Sequence, residues 1–194
     1  MLKGLSPLLS PDLLHVLASM GHGDEIVLAD ANFPAATHAK RLVRLPGTRA
    51  PEVLDAVLSV LPLDDFVAQA ALTMQVVGDA GAIPPVVGEF DAVLRHHGAG
   101  PSAPLERFVF YQRAAAAFAV VATGETRIYG NILLKKGVLR QMGDAAPAQA
   151  AKAPVELSPA APDLPAQIGT GRRAAASGGG TSSAVREATS VGAR

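Results

Sequence analysis

The chain has 194 residues and 49% hydrophobic content, which suits one globular domain of common size. Its 17 Lys and Arg residues balance 17 Asp and Glu residues, so no net field would attract nucleic acid or an anionic membrane. No cysteine is present, which excludes disulfides, thiolate catalysis and cysteine-based metal sites. Any chemistry must therefore use oxygen and nitrogen groups.

The N-terminal segment argues against secretion. Ser6, Pro7, Ser10 and Pro11 interrupt the apolar run that a signal peptide needs. No stretch reaches the roughly 20 uncharged apolar residues that would span a bilayer. We therefore expect a soluble, cytoplasmic protein with neither nucleic-acid nor membrane partners.

Helical and strand patterns alternate along residues 1–140. Ser10 can cap a helix that starts at Pro11 and ends before Gly21. Strands are predicted at 25–30, 41–45, 71–77, 117–123 and 131–137, and further helices at 51–61, 89–97 and 107–116. This alternation predicts a layered α/β domain with a mainly parallel or mixed sheet.

The composition changes near residue 140. Aromatic residues stop there, and Ala, Gly, Pro and Ser dominate as far as Arg194, including SGGGTSS at 177–183. The few apolar side chains in this stretch cannot offset the entropy of ordering it. We predict a folded catalytic domain over 1–140 and a disordered tail over 141–194.

His22 is the best candidate for acid–base chemistry. It lies between Gly21 and Gly23 at a helix-to-strand turn, where a ligand can approach the imidazole without crowding. Histidine has an unperturbed pKa near 6.5, so it can both give and take a proton at neutral pH. The competing interpretation is a loop histidine without a role.

Further polar groups fall at predicted strand ends. Asp30 ends the strand that follows His22, and the carboxyl ends of strands are where α/β folds place ligand groups, although its surroundings also suit a turn. Tyr129, Gly130 and Asn131 precede the last strand and offer a phenol, a backbone amide and a carboxamide. Such groups suit sugar hydroxyls, and a strand-entry turn with a core aromatic is the alternative.

Sequence motifs for other chemistries are absent. There is no GxGxxG, phosphate loop, Gly-x-Ser-x-Gly or His-Glu-x-x-His pattern. His15, His38, His96 and His97 lack the carboxylate spacing of metal sites, so we interpret them as surface or core residues. A proton-transfer enzyme without a metal or cofactor remains.

Five segments together resemble the L-fucose mutarotase and ribose pyranase family. They are MGHGDEIVLADANFPA (20–35), LPLDDF (61–66), ERFVFYQRA (106–114), FAVVATGE (118–125) and YGNILLKKGV (129–138). The resemblance covers about residues 1–139 in order, whereas the tail resembles nothing in the family. It implies a three-layer α/β subunit in homo-oligomers, often decameric, whose active sites are completed across subunit interfaces.

The resemblance also implies roles for individual residues. It makes His22 the acid–base residue and places the sugar on Asp30, Asp64, Met74, Arg107, Tyr111, Tyr129, Gly130 and Asn131. Arg107 indicates the fucose branch, because the pyranase branch carries a histidine at this position. Asn32 stands where bacterial relatives often have a histidine, so a second imidazole is not available here.

The expected activity is interconversion of the α and β anomers of free L-fucose. His22 would protonate the ring oxygen while Asp30 orients the imidazole or a sugar hydroxyl. Acid–base catalysis of this kind contributes roughly 10²–10⁴-fold, which is enough for a reaction that proceeds unaided. A D-ribose pyranase-type mutarotase and a non-catalytic sugar-binding regulatory protein are the alternatives, and His22 between two glycines argues against the second.

Overall fold

The computed structural model describes residues 2–140, so the predicted tail lies outside the described residues. Its elements are α1 Pro11–Ser19, β1 Glu25–Ala29, α2 Ala35–His38, β2 Leu42–Leu45, α3 Ala50–Leu58, β3 Ala71–Met74, α4 Pro85–His96, β4 Ala103–Leu105, α5 Arg107–Ala116, β5 Ala119–Thr123 and β6 Ile132–Lys135. Every predicted helix and strand is present, and α2 and β4 are additional. No helix within 2–140 is long and apolar enough to cross a membrane.

The six strands form one sheet in the order β2-β5-β1-β6-β3-β4. β6 is antiparallel to β1 and β3, and the other neighbouring pairs are parallel. The predicted mixed sheet is confirmed. We call the edge where β1 to β5 end and β6 begins the carboxyl edge, and the opposite edge the amino edge.

Helices cover both faces of the sheet. On one face, buried residues of α1, α3 and α4 such as Leu13, Leu54 and Phe90 pack against strand residues that include Ile26. On the other face, Phe110 of α5 and residues of α2 pack against strand side chains of opposite orientation. The domain therefore has the three layers that the resemblance implied, and each layer buries an apolar surface.

Local signals explain the helix starts near the functional residues. The Ser10 side chain accepts a hydrogen bond from the Leu13 N–H at 3.2 Å, so α1 begins where its cap and Pro11 predict. The Glu106 carboxylate accepts the Phe108 and Val109 N–H groups at 2.8 and 3.0 Å. This cap places Arg107 in the first turn of α5.

Two predicted boundaries differ from the structure. α4 begins at Pro85, four residues earlier than expected from its apolar periodicity, because proline at the first helical position sets its start. β3 ends at Met74 and not at residue 77. Gly78, with a φ of +83°, turns the chain shortly afterwards, so the last apolar residues of the predicted strand leave the sheet.

Candidate active site

His22 lies on a well-ordered turn between α1 and β1. The Asp24 carboxylate accepts the Gly21 N–H at 2.8 Å, and Gly23, with a φ of +86°, donates its N–H to the Lys136 carbonyl at 2.8 Å. The His22 side chain itself is 50% exposed. The backbone is held while the imidazole stays open to a ligand.

Asp64 is the acidic partner of this imidazole. His22 Nε2 lies 3.4 Å from Asp64 Oδ1, and the Asp64 side chain is only 3% exposed. The carboxylate also accepts the Phe66 N–H at 3.0 Å, and the Phe66 ring centre lies 5.5 Å from the imidazole centre. Asp64 thus limits the orientation of His22 from the buried side, at the amino edge of the sheet.

Asp30 and Asn131 form a buried pair at the carboxyl edge. The Asp30 N–H donates to Asn131 Oδ1 at 3.0 Å, and Asn131 Nδ2 donates to Asp30 Oδ2 at 2.8 Å. The other Asp30 oxygen accepts the Asn32 N–H at 2.9 Å. Burial raises the pKa of the Asp30 carboxyl above its usual value, while these hydrogen bonds act in the opposite direction.

The loop 124–131 presents Tyr129, Gly130 and Asn131. Tyr129 has a φ of +63°, a left-handed conformation that residues with a Cβ rarely adopt. A Cβ at Gly130 would lie 2.8 Å from Glu125 Cγ and 3.3 Å from Asp30 Cβ, so only glycine fits. The Tyr129 hydroxyl accepts the Val77 N–H at 3.1 Å, which joins this loop to the segment after β3.

Arg107 is positioned at this edge by the start of α5. Its Nε is buried and has no hydrogen-bond partner among residues 2–140, and its guanidinium carbon lies 4.8 Å from the Phe108 ring centre. One helical turn later, Tyr111 stacks on His38 at 5.1 Å. Because an unpaired buried donor is unfavourable, Arg107 is ready to bind an acceptor such as a sugar hydroxyl.

The structure divides the predicted site residues between the two edges of the sheet. His22 and Asp64 lie at the amino edge, whereas the carboxyl edge carries Asp30, Met74, Arg107, Tyr111, Tyr129, Gly130 and Asn131. β6 connects the two groups. Asn131 immediately precedes this strand at the carboxyl edge. Lys136 immediately follows it at the amino edge, where its carbonyl accepts the N–H of Gly23, the neighbour of His22. The five residue-to-residue steps from Asn131 to Lys136 span about 17 Å. Asp30 is therefore not placed to orient the His22 imidazole of its own chain, and Asp64 occupies that position.

A cavity of about 440 Å³ also opens at the carboxyl edge. It is lined by Arg44, Thr123 and loops that follow β2 and β5, and Asp30 is the predicted site residue that borders it. Tyr129, Asn131 and Arg107 belong to the side formed by β6, β3 and β4. Of the predicted sugar-contacting residues, Asp30 therefore borders this cavity, whereas Tyr129, Asn131 and Arg107 are not part of its lining.

Residues 3–139 match the family described as the RbsD / FucU transport protein family. The chain belongs to this family. The human fucose mutarotase is 51% identical over 145 residues, which cover 71% of this chain and 94% of that protein. The L-fucose mutarotase of Glaesserella parasuis is 44% identical over 146 residues, covering 74% and 100%. The crystal structure of the Streptococcus pneumoniae fucose mutarotase in complex with L-fucose superposes with a TM-score of 0.68 and 47% identity, covering 72% and 100%.

The structure also pairs two charged residues, Glu125 and Arg127, that the sequence did not single out. Glu125 is 3% exposed and accepts the Arg127 Nε and Nη2 groups, both at 2.8 Å. Hydrogen bonding by Arg127 lowers the pKa of Glu125 to about 2, although burial opposes the shift. The position of both residues in the loop that contains Tyr129 could have indicated a role near the site. It was not decisive, because charged residues in loops are usually solvated.

His97 also contacts a carboxylate, as His22 does. His97 Nε2 lies 2.8 Å from Asp55 Oδ1, and the donor atoms of Asp55, His96 and His97 all lie within 4.8 Å of one another. Local spacing could not indicate this group, since Asp55 precedes His97 by 42 residues. The short contact links α3 to the residue that follows α4.

Proposed function

We propose that the chain is an L-fucose mutarotase, an isomerase that interconverts the α and β anomers of free L-fucose. The observation that carries this proposal is the half-exposed His22 imidazole, held from its buried side by Asp64. The mutarotases of human and Glaesserella parasuis, 51% and 44% identical, support the reaction, and the L-fucose complex from Streptococcus pneumoniae supports the substrate.

The carboxyl edge supplies the groups that recognise the sugar. The Asp30 carboxylate accepts hydrogen bonds from sugar hydroxyls, and Arg107 donates through the nitrogen that has no partner in residues 2–140. Tyr129 and Tyr111 offer ring faces with a polar end, and Met74 adds an apolar contact. Asn131 holds the Asp30 side chain by a hydrogen bond, so Asp30 loses less conformational entropy when the sugar binds.

The chemistry consists of opening and reclosing a hemiacetal ring. His22 gives a proton to the ring oxygen, the bond between that oxygen and the anomeric carbon breaks, and the anomeric hydroxyl gives its proton to a water molecule as the aldehyde forms. Rotation about the adjacent carbon–carbon bond presents the other face of the aldehyde. On ring closure, the hydroxyl formed from the ring oxygen attacks the carbonyl carbon and returns its proton to His22, and the former carbonyl oxygen takes a proton from water. Asp64 keeps the imidazole in orientation throughout.

One chain cannot bring both groups to one sugar, because about 17 Å of strand separates the amino and carboxyl edges. We infer a homo-oligomer in which His22 of one chain faces a sugar bound at the carboxyl edge of another. Large apolar side chains next to site residues support such contacts. Phe66, Phe108 and Ile128 are 57%, 63% and 68% exposed, respectively.

Saturation-transfer NMR on L-fucose, D-ribose and D-galactose tests the reaction. We expect the protein to accelerate exchange between fucose anomers well above the spontaneous rate and more than it accelerates exchange of the ribose ring forms. Binding of L-fucose without faster exchange would instead identify a sugar-binding protein. A preference for ribose would identify a pyranase-type mutarotase.

Mixed oligomers test the two-chain site. Chains with His22→Gln and chains with Asn131→Ala carry different purification tags, and both are expected to exchange fucose poorly when alone. After co-expression and purification through both tags, exchange should return, because an intact His22 then meets an intact carboxyl edge. Mixed oligomers that remain inactive would contradict the inference.

A further inference from the structure

The loop 124–131 needs an external restraint. Tyr129 has a φ of +63°, which is unfavourable for any residue with a Cβ, and it is followed by Gly130 in a position too crowded for a side chain. The hydrogen bond from the Val77 N–H to the Tyr129 hydroxyl holds the tip of the side chain and not the backbone. The backbone of this loop therefore benefits from support beyond the Tyr129 hydroxyl.

Glu125 forms the inner support of this loop. Its carboxylate is 3% exposed and accepts three hydrogen bonds from Arg127, from the backbone N–H at 3.1 Å and from Nε and Nη2 at 2.8 Å. Its Cγ lies 2.8 Å from the position of a Cβ on Gly130. Its carbonyl accepts the Ala31 N–H at 2.8 Å, beside the sugar-binding carboxylate. Glu125 therefore supports both the loop that follows β5 and the segment that follows β1.

Arg127 extends this support to the helical layer. Its Nη1 donates to Glu89 Oε1 on α4, and the same carboxylate accepts Arg49 Nη2 at 2.7 Å. Two arginines and two glutamates therefore form one network between the loop and the starts of α3 and α4. Bidentate pairs of this kind fix orientation as well as charge.

We propose that Arg127, held between Glu125 and Glu89, is a positioning residue that fixes the loop 124–131 in its sugar-binding conformation without contacting the sugar. This inference rests on the proposed function, because it assigns the sugar to this loop. The inference predicts that loss of the network affects sugar binding and not proton transfer, because the network lies at the carboxyl edge and His22 lies at the amino edge.

The decisive variant is Arg127→Gln, which leaves the buried Glu125 carboxylate without its cation. We expect the KM for L-fucose to rise about tenfold while kcat changes less than about twofold, because the loop loses its orientation and the acid–base group does not. Amides of residues 126–131 should exchange their hydrogens faster. Arg127→Lys keeps the charge but not the fork, so it should recover part of the lost affinity.

Arg113→Gln is the matched control. The Arg113 side chain is 32% exposed, against 33% for Arg127, and it also forms a forked ion pair, with Glu25. Its loss removes a comparable interaction that is not attached to the loop. The melting temperature should fall in both variants, whereas the KM and the loop exchange should change only in Arg127→Gln.

Glu89→Gln provides a milder variant that should fold in any case, because Glu89 is 39% exposed. It removes only the outer attachment and should raise the KM by a smaller factor in the same direction. Unchanged KM and loop exchange in Arg127→Gln and Glu89→Gln, or an equal rise in Arg113→Gln, would overturn the proposal. If the wild type exchanged no fucose anomers, the function would fail, while hydrogen exchange of the loop would still decide whether Arg127 orders it.

Discussion

The two edges of the sheet hold their polar side chains very differently. At the carboxyl edge, Asp30 and Asn131 are 4% and 3% exposed and share two hydrogen bonds. At the amino edge, the His22 side chain is 50% exposed, and its one hydrogen-bonding contact within residues 2–140 is to Asp64 at 3.4 Å. Under the proposed function, the groups assigned to sugar binding are ordered before the sugar arrives, whereas the group assigned to proton transfer stays accessible.

Of the variants that test this assignment of roles to the two edges, His22→Gln should have the largest effect. We expect fucose exchange to fall by roughly 10²–10⁴-fold, because the variant loses the imidazole to which the proposed mechanism assigns proton transfer. Fucose affinity, measured by calorimetry, should remain within a few fold, since the carboxyl edge is untouched. His15→Gln, on the exposed face of α1, is the control and should behave as the wild type. Near-normal exchange in His22→Gln would refute the assigned role.

Asn131→Ala perturbs the other edge. The change removes the two hydrogen bonds to Asp30, one of them to its backbone, so we expect fucose affinity to fall by about 10- to 100-fold together with a loss of about 1–3 kcal/mol in unfolding free energy. A fucose titration and a urea denaturation curve measure the two effects. Loss of exchange rate at saturating fucose with unchanged affinity would contradict the separation between the edges.

Asp64→Asn tests how the imidazole is held at the amino edge. The amide keeps the size of the carboxylate but not its charge, so we expect the exchange rate at saturating fucose to fall by about tenfold, less than for His22→Gln. Affinity should hold, because Asp64 faces His22 and not the carboxyl edge of its own chain. A larger change in affinity than in rate would assign Asp64 to sugar binding instead.

Arg107→His should cause the smallest change and affects selectivity. A guanidinium presents a rigid fork of donors that an imidazole lacks, so fucose exchange should weaken by a few fold and ribose exchange should improve. The ratio of exchange rates on the two sugars is the measurement. An unaltered ratio would remove Arg107 from the basis of selectivity.

The fold was largely predictable because its signals are local. Ser10 with Pro11 marks α1, and apolar runs mark the central strands. The missed elements lack such signals, since α2 has four residues and β4 has three residues that include Pro104. Which strand is antiparallel was not predictable, because the apolar periodicity of β6 is the same in either direction.

The candidate site was predictable only in parts. Gly21-His22-Gly23 and Tyr129-Gly130-Asn131 are local patterns, and the resemblance supplied the remaining residues. The contacts between them are not local, because His22 and Asp64 are 42 residues apart and Asp30 and Asn131 are 101 residues apart. The assignment of each group to an edge depends on strand direction, which is a property of the assembled sheet.

The position of β6 between the two edges bears on the number of complete sites per chain. If the site is completed between chains, as we propose, a lone chain would hold two half-sites at opposite ends of this strand, and a closed assembly would hold one complete site per chain. Turnover per chain should therefore be independent of ring size but should decline with dilution below the dissociation constant of the assembly. Protein concentration would then act on this enzyme as an activator does.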